Sequence, residues 1–191
     1  MKNALKMGTI AVAVIALIGG YYFYLSNRAR KTTEEDVQVT EVDEVIAKQL
    51  DKKYPPTPRE VIKFYNKIIE CVYGESYSDT QLDQLVSQAR KLMDEELLAN
   101  NPESGHKTKL LEDISEYKDN KQKIIQTRVC NSDEVVYDDI DERKCAYVKA
   151  SYFFKQGKGK FERTNQEYLL RKDEDGNWKI LGYYLSGSEE E

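Results

Sequence analysis

Chemistry at neutral pH needs side chains that titrate, ligate or attack, and this sequence holds few: one histidine and three cysteines. His106 follows the Gly105 break, where a solvated residue at a helix start is the ordinary reading. Without a second group titrating near neutrality, a buried acid–base pair would need a carboxylate with a strongly raised pKa. Cys71, Cys130 and Cys145 form no Cys-x-x-Cys, and the ligand spacing of a zinc site is missing. An odd cysteine count argues against a disulfide framework. Cys130 and Cys145 can pair if they fall opposite each other on neighbouring strands; otherwise all three serve as small hydrophobes.

The acidic clusters lead no further. Asp173, Asp175 and Asn177 meet the first three positions of an EF-hand loop, but Trp178 and Tyr184 stand where glycine and glutamate belong, so the segment reads as a hairpin turn. Asp138, Asp139, Asp141 and Glu142 read as a solvated charge run in a loop. Gly157-Lys158-Gly159-Lys160 lacks the spacing and the Lys-Ser/Thr ending of a phosphate loop, and no Gly-x-Ser-x-Gly is present. The residues thus nominate no catalytic group, no metal ligand and no cofactor.

Tyrosine is the unusual residue, fourteen in all. Tyr147, Tyr152, Tyr168, Tyr183 and Tyr184 fall on expected strands. Successive strand residues point to opposite faces, so one of Tyr183 and Tyr184 must turn away from any helices covering the sheet. Amphipathic aromatic rings are common interface anchors, which makes these five the candidate partner-binding residues. Packing between sheet and helices is the competing role.

The elements that position them begin after an apolar run. Residues 1–6 form a basic tail, and Met7 to Leu25 carry no charge, a length of about 28 Å as a helix that matches a bilayer core. Arg28, Arg30 and Lys31 follow, and Tyr21, Tyr22 and Tyr24 cluster at one end as interfacial rings do. A cleaved secretory signal is the alternative, but Ile18 and a Tyr-Tyr-Phe-Tyr-Leu terminus suit cleavage after Gly20 poorly. The expectation is a single-pass signal-anchor in the cell membrane with the soluble domain extracytoplasmic, although flanking positive charges nearly balance. The whole chain carries −5, residues 1–31 hold five cations and no acid, and residues 32–191 therefore carry −10. So acidic a domain is a poor partner for nucleic acid.

Residues 26–56 read as a charged tether with a short amphipathic helix at about 41–52, ended by Tyr54-Pro55-Pro56. The soluble domain spans 57–185. Thr57-Pro58-Arg59-Glu60 starts a helix running to about 73, and Ser78-Asp79-Thr80-Gln81 starts a second whose stripe Leu82, Leu85, Val86, Ala89, Leu92, Met93 and Leu97 continues to Asn101-Pro102. A third covers about 106–118. Beyond Asn120 the period falls to two, predicting strands at 122–130, 134–137, 144–155, 161–172 and 178–185, with Asp175-Gly176-Asn177 turning the last hairpin. In that hairpin Trp178, Ile180 and Gly182 should share the buried face. Residues 186–191 form an acidic tail. The fold class is α+β: three helices on a strongly bent antiparallel sheet of four to five strands.

Helices first, then a meander ending in Glu-Tyr-Leu-Leu-Arg-Lys-Asp-Glu-Asp-Gly-Asn-Trp-Lys-Ile (167–180), resembles the nuclear transport factor 2-like, or cystatin-like, superfamily, where Gly-x-Trp-x-Ile commonly closes such a hairpin. Tyr-Pro-Pro-Thr-Pro-Arg-Glu-Val (54–61) behind an anchor helix also resembles an uncharacterised group of bacterial single-pass proteins. The resemblance implies a cone-shaped domain with a concave sheet and leaves function open. The expected function is non-enzymatic: a membrane-anchored domain of the bacterial cell envelope binding a protein or a small apolar ligand through that sheet. The alternatives are a scaffold subunit of a type IV secretion or conjugation-like assembly, or an enzyme of the same fold.

Overall fold

The computed structural model describes residues 39–157 and 159–186. The expected membrane helix at 7–25, the basic tail and residues 187–191 lie outside the described residues. Among the described residues, no helix is long and apolar enough to cross a membrane.

Five helices precede the sheet: α1 (Glu41–Ala47), α2 (Pro58–Gly74), α3 (Asp79–Lys91), α4 (Glu95–Asn100) and α5 (Glu103–Asp119). Their starts follow side-chain chemistry. Thr40 and Asp43 form a reciprocal capping box, Thr57 accepts the Glu60 N–H with Pro58 in the first turn, and Ser78 and Gln81 form a second box. The strands are β1 (Gln122–Val129), β2 (Val136–Ile140), β3 (Arg143–Gln156), β4 (Lys160–Lys172) and β5 (Trp178–Ser186). All pair antiparallel in the order β1-β3-β4-β5, and β2 pairs with the first residues of β3 while β1 pairs with its last. The long β3 therefore shares one edge between two short strands.

One row of β3, Ala146, Val148, Ala150 and Tyr152, is buried beneath the helices, as period-2 alternation requires. Helix α2 packs on β1, β3 and β5, with Val61, Ile62, Phe64 and Ile68 in the core. Val42, Val45 and Leu50 enter the same core, so the segment expected as tether supplies apolar packing from Val42 onward. Helix α1 stops at Ala47, short of the expected 52, where the buried Gln88 amide donates to the carbonyls of Ile46 (2.8 Å) and Lys48 (2.9 Å).

The structure corrects the expected helices in number. The second of them divides: α3 ends at Lys91 and α4 begins at Glu95. Between them the backbone runs along the edge of β5, with Ile180 N–H donating to Leu92 O and Asp94 N–H to Ile180 O, each at 2.8 Å. The apolar stripe hid this break, because Leu92 and Met93 stay buried on either path.

β2 lies at 136–140 instead of 134–137, which places Asp138 and Asp139 on a strand, not in a loop, opposite Cys145 and Lys144. Only Asp141 and Glu142 form the turn, both with positive φ (50° and 63°). In the last hairpin the Asp173 carboxylate takes the Asn177 N–H (2.7 Å) and Gly176 sits at φ 81°, so these residues serve the turn. Ser186, expected in the tail, ends β5. A bulge corrects the expected alternation in that strand: Leu170 pairs with Ile180 but Leu169 with Gly182, leaving Leu181 as the extra residue. Trp178 and Ile180 are buried as expected. Tyr183, not Gly182, then continues their face.

Candidate functional site

The rows of β3 and β4 and the α2 stripe bring a set of tyrosines together between helices and sheet. Tyr152 from β3 and Tyr168 from β4 are buried, with hydroxyls 2.6 Å apart. Tyr152 donates to Asn66 Oδ1 of α2 (2.6 Å), and Tyr168 reaches Gln166 Oε1 (2.6 Å). Tyr65 meets the Tyr168 ring edge-on at 5.9 Å, and the Tyr183 ring is tilted against it at 5.5 Å. Tyr73, Tyr117 and Phe154 extend the cluster through contacts of 4.5 and 6.0 Å.

Burial pushes these phenols upward: Tyr65 to about 12, and Tyr73, Tyr152 and Tyr168 also well above their usual value. They keep their protons at neutral pH and act as hydrogen-bond groups. The thiols are equally reluctant to ionise. Cys71 is raised to about 11, first by burial, and Cys130 and Cys145 are raised by the same cause. All three are free: Cys130 N–H bonds to Lys149 O, whereas Cys145 lies opposite Asp138 and Arg171. His106 sits inside α5, not before it, with Nδ1 3.3 Å from Arg90 Nη1, and burial followed by the Arg90 charge lowers its pKa. Among the described residues, no three His, Cys, Asp or Glu side chains are grouped to hold a metal ion.

The five candidate tyrosines divide between two faces. Tyr152, Tyr168 and Tyr183 face the helices, whereas Tyr184 pairs opposite Glu167 on the outer side and donates its hydroxyl to that carboxylate, which raises the phenol to about 12. Tyr147 pairs with Leu169 on that outer side. The sequence matches, over residues 1–183, the family described as Domain of unknown function (DUF6715). The chain belongs to this family. The match runs from the basic N-terminus through Tyr183, so it takes in the apolar run as well as nearly all of the sheet. No curated protein matches this DUF6715 chain.

The features that sequence reasoning missed are an edge and a groove. Beyond the bridge at Ile180, the outer edge of β5 pairs with no strand among the described residues, and Tyr183 (58% exposed), Tyr184 and Leu185 (68%) stand there open to solvent. The β1 edge is managed differently, since the Thr127 N–H is taken by the Glu70 carboxylate (2.9 Å) from α2. The groove, of about 490 Å³, lies between α1, the Lys53–Pro56 turn and α2 and gathers Lys48, Lys53, Lys63 and Lys67. The glycine inside β5 signals a bulge, but no local pattern joins lysines spread over twenty residues.

Proposed function

We propose that this protein is a membrane-anchored, non-enzymatic interaction domain of the bacterial cell envelope that docks a protein partner through the C-terminal edge of β5. The observation that carries this is the unpaired, apolar edge Tyr183-Tyr184-Leu185, in a domain where a donor of the opposite edge, Thr127 N–H, is taken by Glu70. A free strand edge offers a row of N–H and C=O groups to an added strand, and the alternating rings give that strand its specificity. The space beneath the helices is filled by Tyr152, Tyr168 and their neighbours, which favours a protein over a small apolar ligand. Helices followed by an antiparallel meander support the resemblance to the nuclear transport factor 2-like superfamily, and the uncharged run at 7–25 supports the anchor and the extracytoplasmic placement.

The test is photo-crosslinking in intact cells from a benzoylphenylalanine at Leu185 of the full chain, with Lys123 on the β1 edge as control. A discrete adduct from Leu185 that disappears with Tyr183→Pro, which removes an outward-facing hydrogen-bond donor of the free edge, is the expected outcome. Equal adducts from both positions, or an adduct indifferent to Tyr183→Pro, would refute strand docking. For the anchor, the full chain should sediment with membranes and resist carbonate extraction, and recovery in the soluble fraction would end that part of the proposal.

A further inference from the structure

The groove of about 490 Å³ is built from two kinds of wall. Val45, Tyr54, Pro55, Pro56 and Phe64 are apolar, and Lys48, Lys53, Lys63 and Lys67 bring four ammonium groups to it. Its volume lies in the range of ligand sites. Two carboxylates, Glu44 and Glu60, also line it. Glu60 is engaged by the Thr57 hydroxyl at the start of α2. Among the described residues, none of the four lysines forms an ion pair, although the domain around them is strongly acidic. Lys48 stands over the Phe64 ring at 4.1 Å. Burial, then the charges of Lys67 and Lys53, disfavour its protonated form, and Glu60 offsets them only in part.

We infer that this groove binds a phosphate-headed amphiphile, its phosphate among Lys48, Lys53, Lys63 and Lys67 and its apolar body against Tyr54, Pro55 and Phe64. The cations are all lysine and none is arginine. Lysine binds phosphate as a point charge, and several together neutralise a compact multivalent anion. The apolar wall offers an organic phosphate contacts that a bare inorganic ion does not make. Such a molecule has two sources, a free organic phosphate or an anionic lipid headgroup. The lipid source rests on the proposed anchor. The free source does not depend on it.

The experiment acylates lysines on the full chain in phosphatidylcholine nanodiscs and reads each position by mass spectrometry. One arm adds phenyl phosphate, a second replaces part of the lipid with phosphatidylglycerol, and a third adds inorganic phosphate. Labelling of Lys63 and Lys67 should fall about tenfold in the first or second arm, less in the third, with Lys109 and Lys118 unchanged. Protection by phenyl phosphate alone identifies a free ligand, and protection by phosphatidylglycerol alone identifies the membrane. Lys63→Gln with Lys67→Gln, both exposed on α2, should keep the melting temperature and abolish protection of Lys48 and Lys53. No protection in either of the first two arms, equal protection of Lys109 and Lys118, or protection of Lys48 that survives the double substitution would overturn the inference. None of these readouts depends on the β5 edge, so the groove and the docking strand fail or stand separately.

Discussion

Asp94 is enclosed (2% exposed) and its carboxylate takes the guanidinium of Arg171 together with the Glu96 N–H. Burial by itself would raise its pKa, but the hydrogen bonds from Arg171 and Glu96 outweigh it and hold the group below the ordinary carboxylate value. Its contribution is therefore complete above the unfolded pKa of about 3.9 and is lost as pH falls through the lower folded value. Asp94→Asn should cost about 3 kcal/mol at neutral pH by breaking an enclosed ion pair, and in urea melts its deficit should shrink below about pH 4. A deficit that stays constant from acid to neutral pH would show that the charge is irrelevant. The tyrosines give the opposite sign. With Tyr152 and Tyr168 raised, the unfolded chain releases phenolic protons first, so their stabilisation holds below about pH 10 and drains away as pH rises towards the folded values. Phenolate absorbance should show a fraction of tyrosines that ionise only as the circular dichroism of the fold is lost. Tyr152→Phe leaves Asn66 Oδ1 without its donor and should cost about 1–3 kcal/mol.

Two turns predict changes of opposite sign. Asp141 and Glu142 both hold positive φ between β2 and β3, a conformation glycine tolerates and glutamate does not, so Glu142→Gly should raise stability by about 0.5–1 kcal/mol. Gly176 also has positive φ, and a Cβ there would meet nothing within 4 Å. Gly176→Val should therefore lose about 1–3 kcal/mol through backbone strain alone, as thermal melts would show. The Asp-Gly hairpin, the capping boxes and the boundaries of β1, β3, β4 and β5 were legible because each rests on neighbours in sequence. The break at Leu92–Asp94 was not, since its partner Ile180 is distant and the apolar period runs through it. The register of β2 depends on β3, including the Asp139–Lys144 ion pair at 2.7 Å. Tyrosine was legible as a residue type worth notice, but the bulge at Leu181 decides which of Tyr183 and Tyr184 faces the helices. Lysines placed just after α1, in a turn and on α2 formed no pattern at all.

At the scale of the whole domain, residues 39–56 are knit into the fold. Val42, Val45 and Leu50 are buried, Tyr54 donates its hydroxyl to Trp178 O (2.8 Å), and Gln81 reaches Asp43 (3.0 Å). Each of the three aliphatic side chains is worth about 1.5–3 kcal/mol against a total stability of about 5–15 kcal/mol. A chain beginning at Val39 should melt cooperatively, whereas one beginning at Thr57 should be largely unfolded at 25 °C by circular dichroism. Comparable melting of the two would show that α1 only rests on the surface. The bridge from Leu92 and Asp94 to Ile180 has a further consequence, in time. The hairpins β2–β3, β3–β4 and β4–β5 close over short loops, but this bridge joins points nearly half the chain apart and adds only two backbone hydrogen bonds, so chain entropy delays it until the sheet exists. A contact made after the rate-limiting step is absent from the folding barrier and present in the unfolding one. Stopped-flow measurements on Asp94→Asn should accordingly find refolding almost unchanged and unfolding accelerated, making the Leu92–Asp94 crossing the latch that sets how long the folded domain lasts.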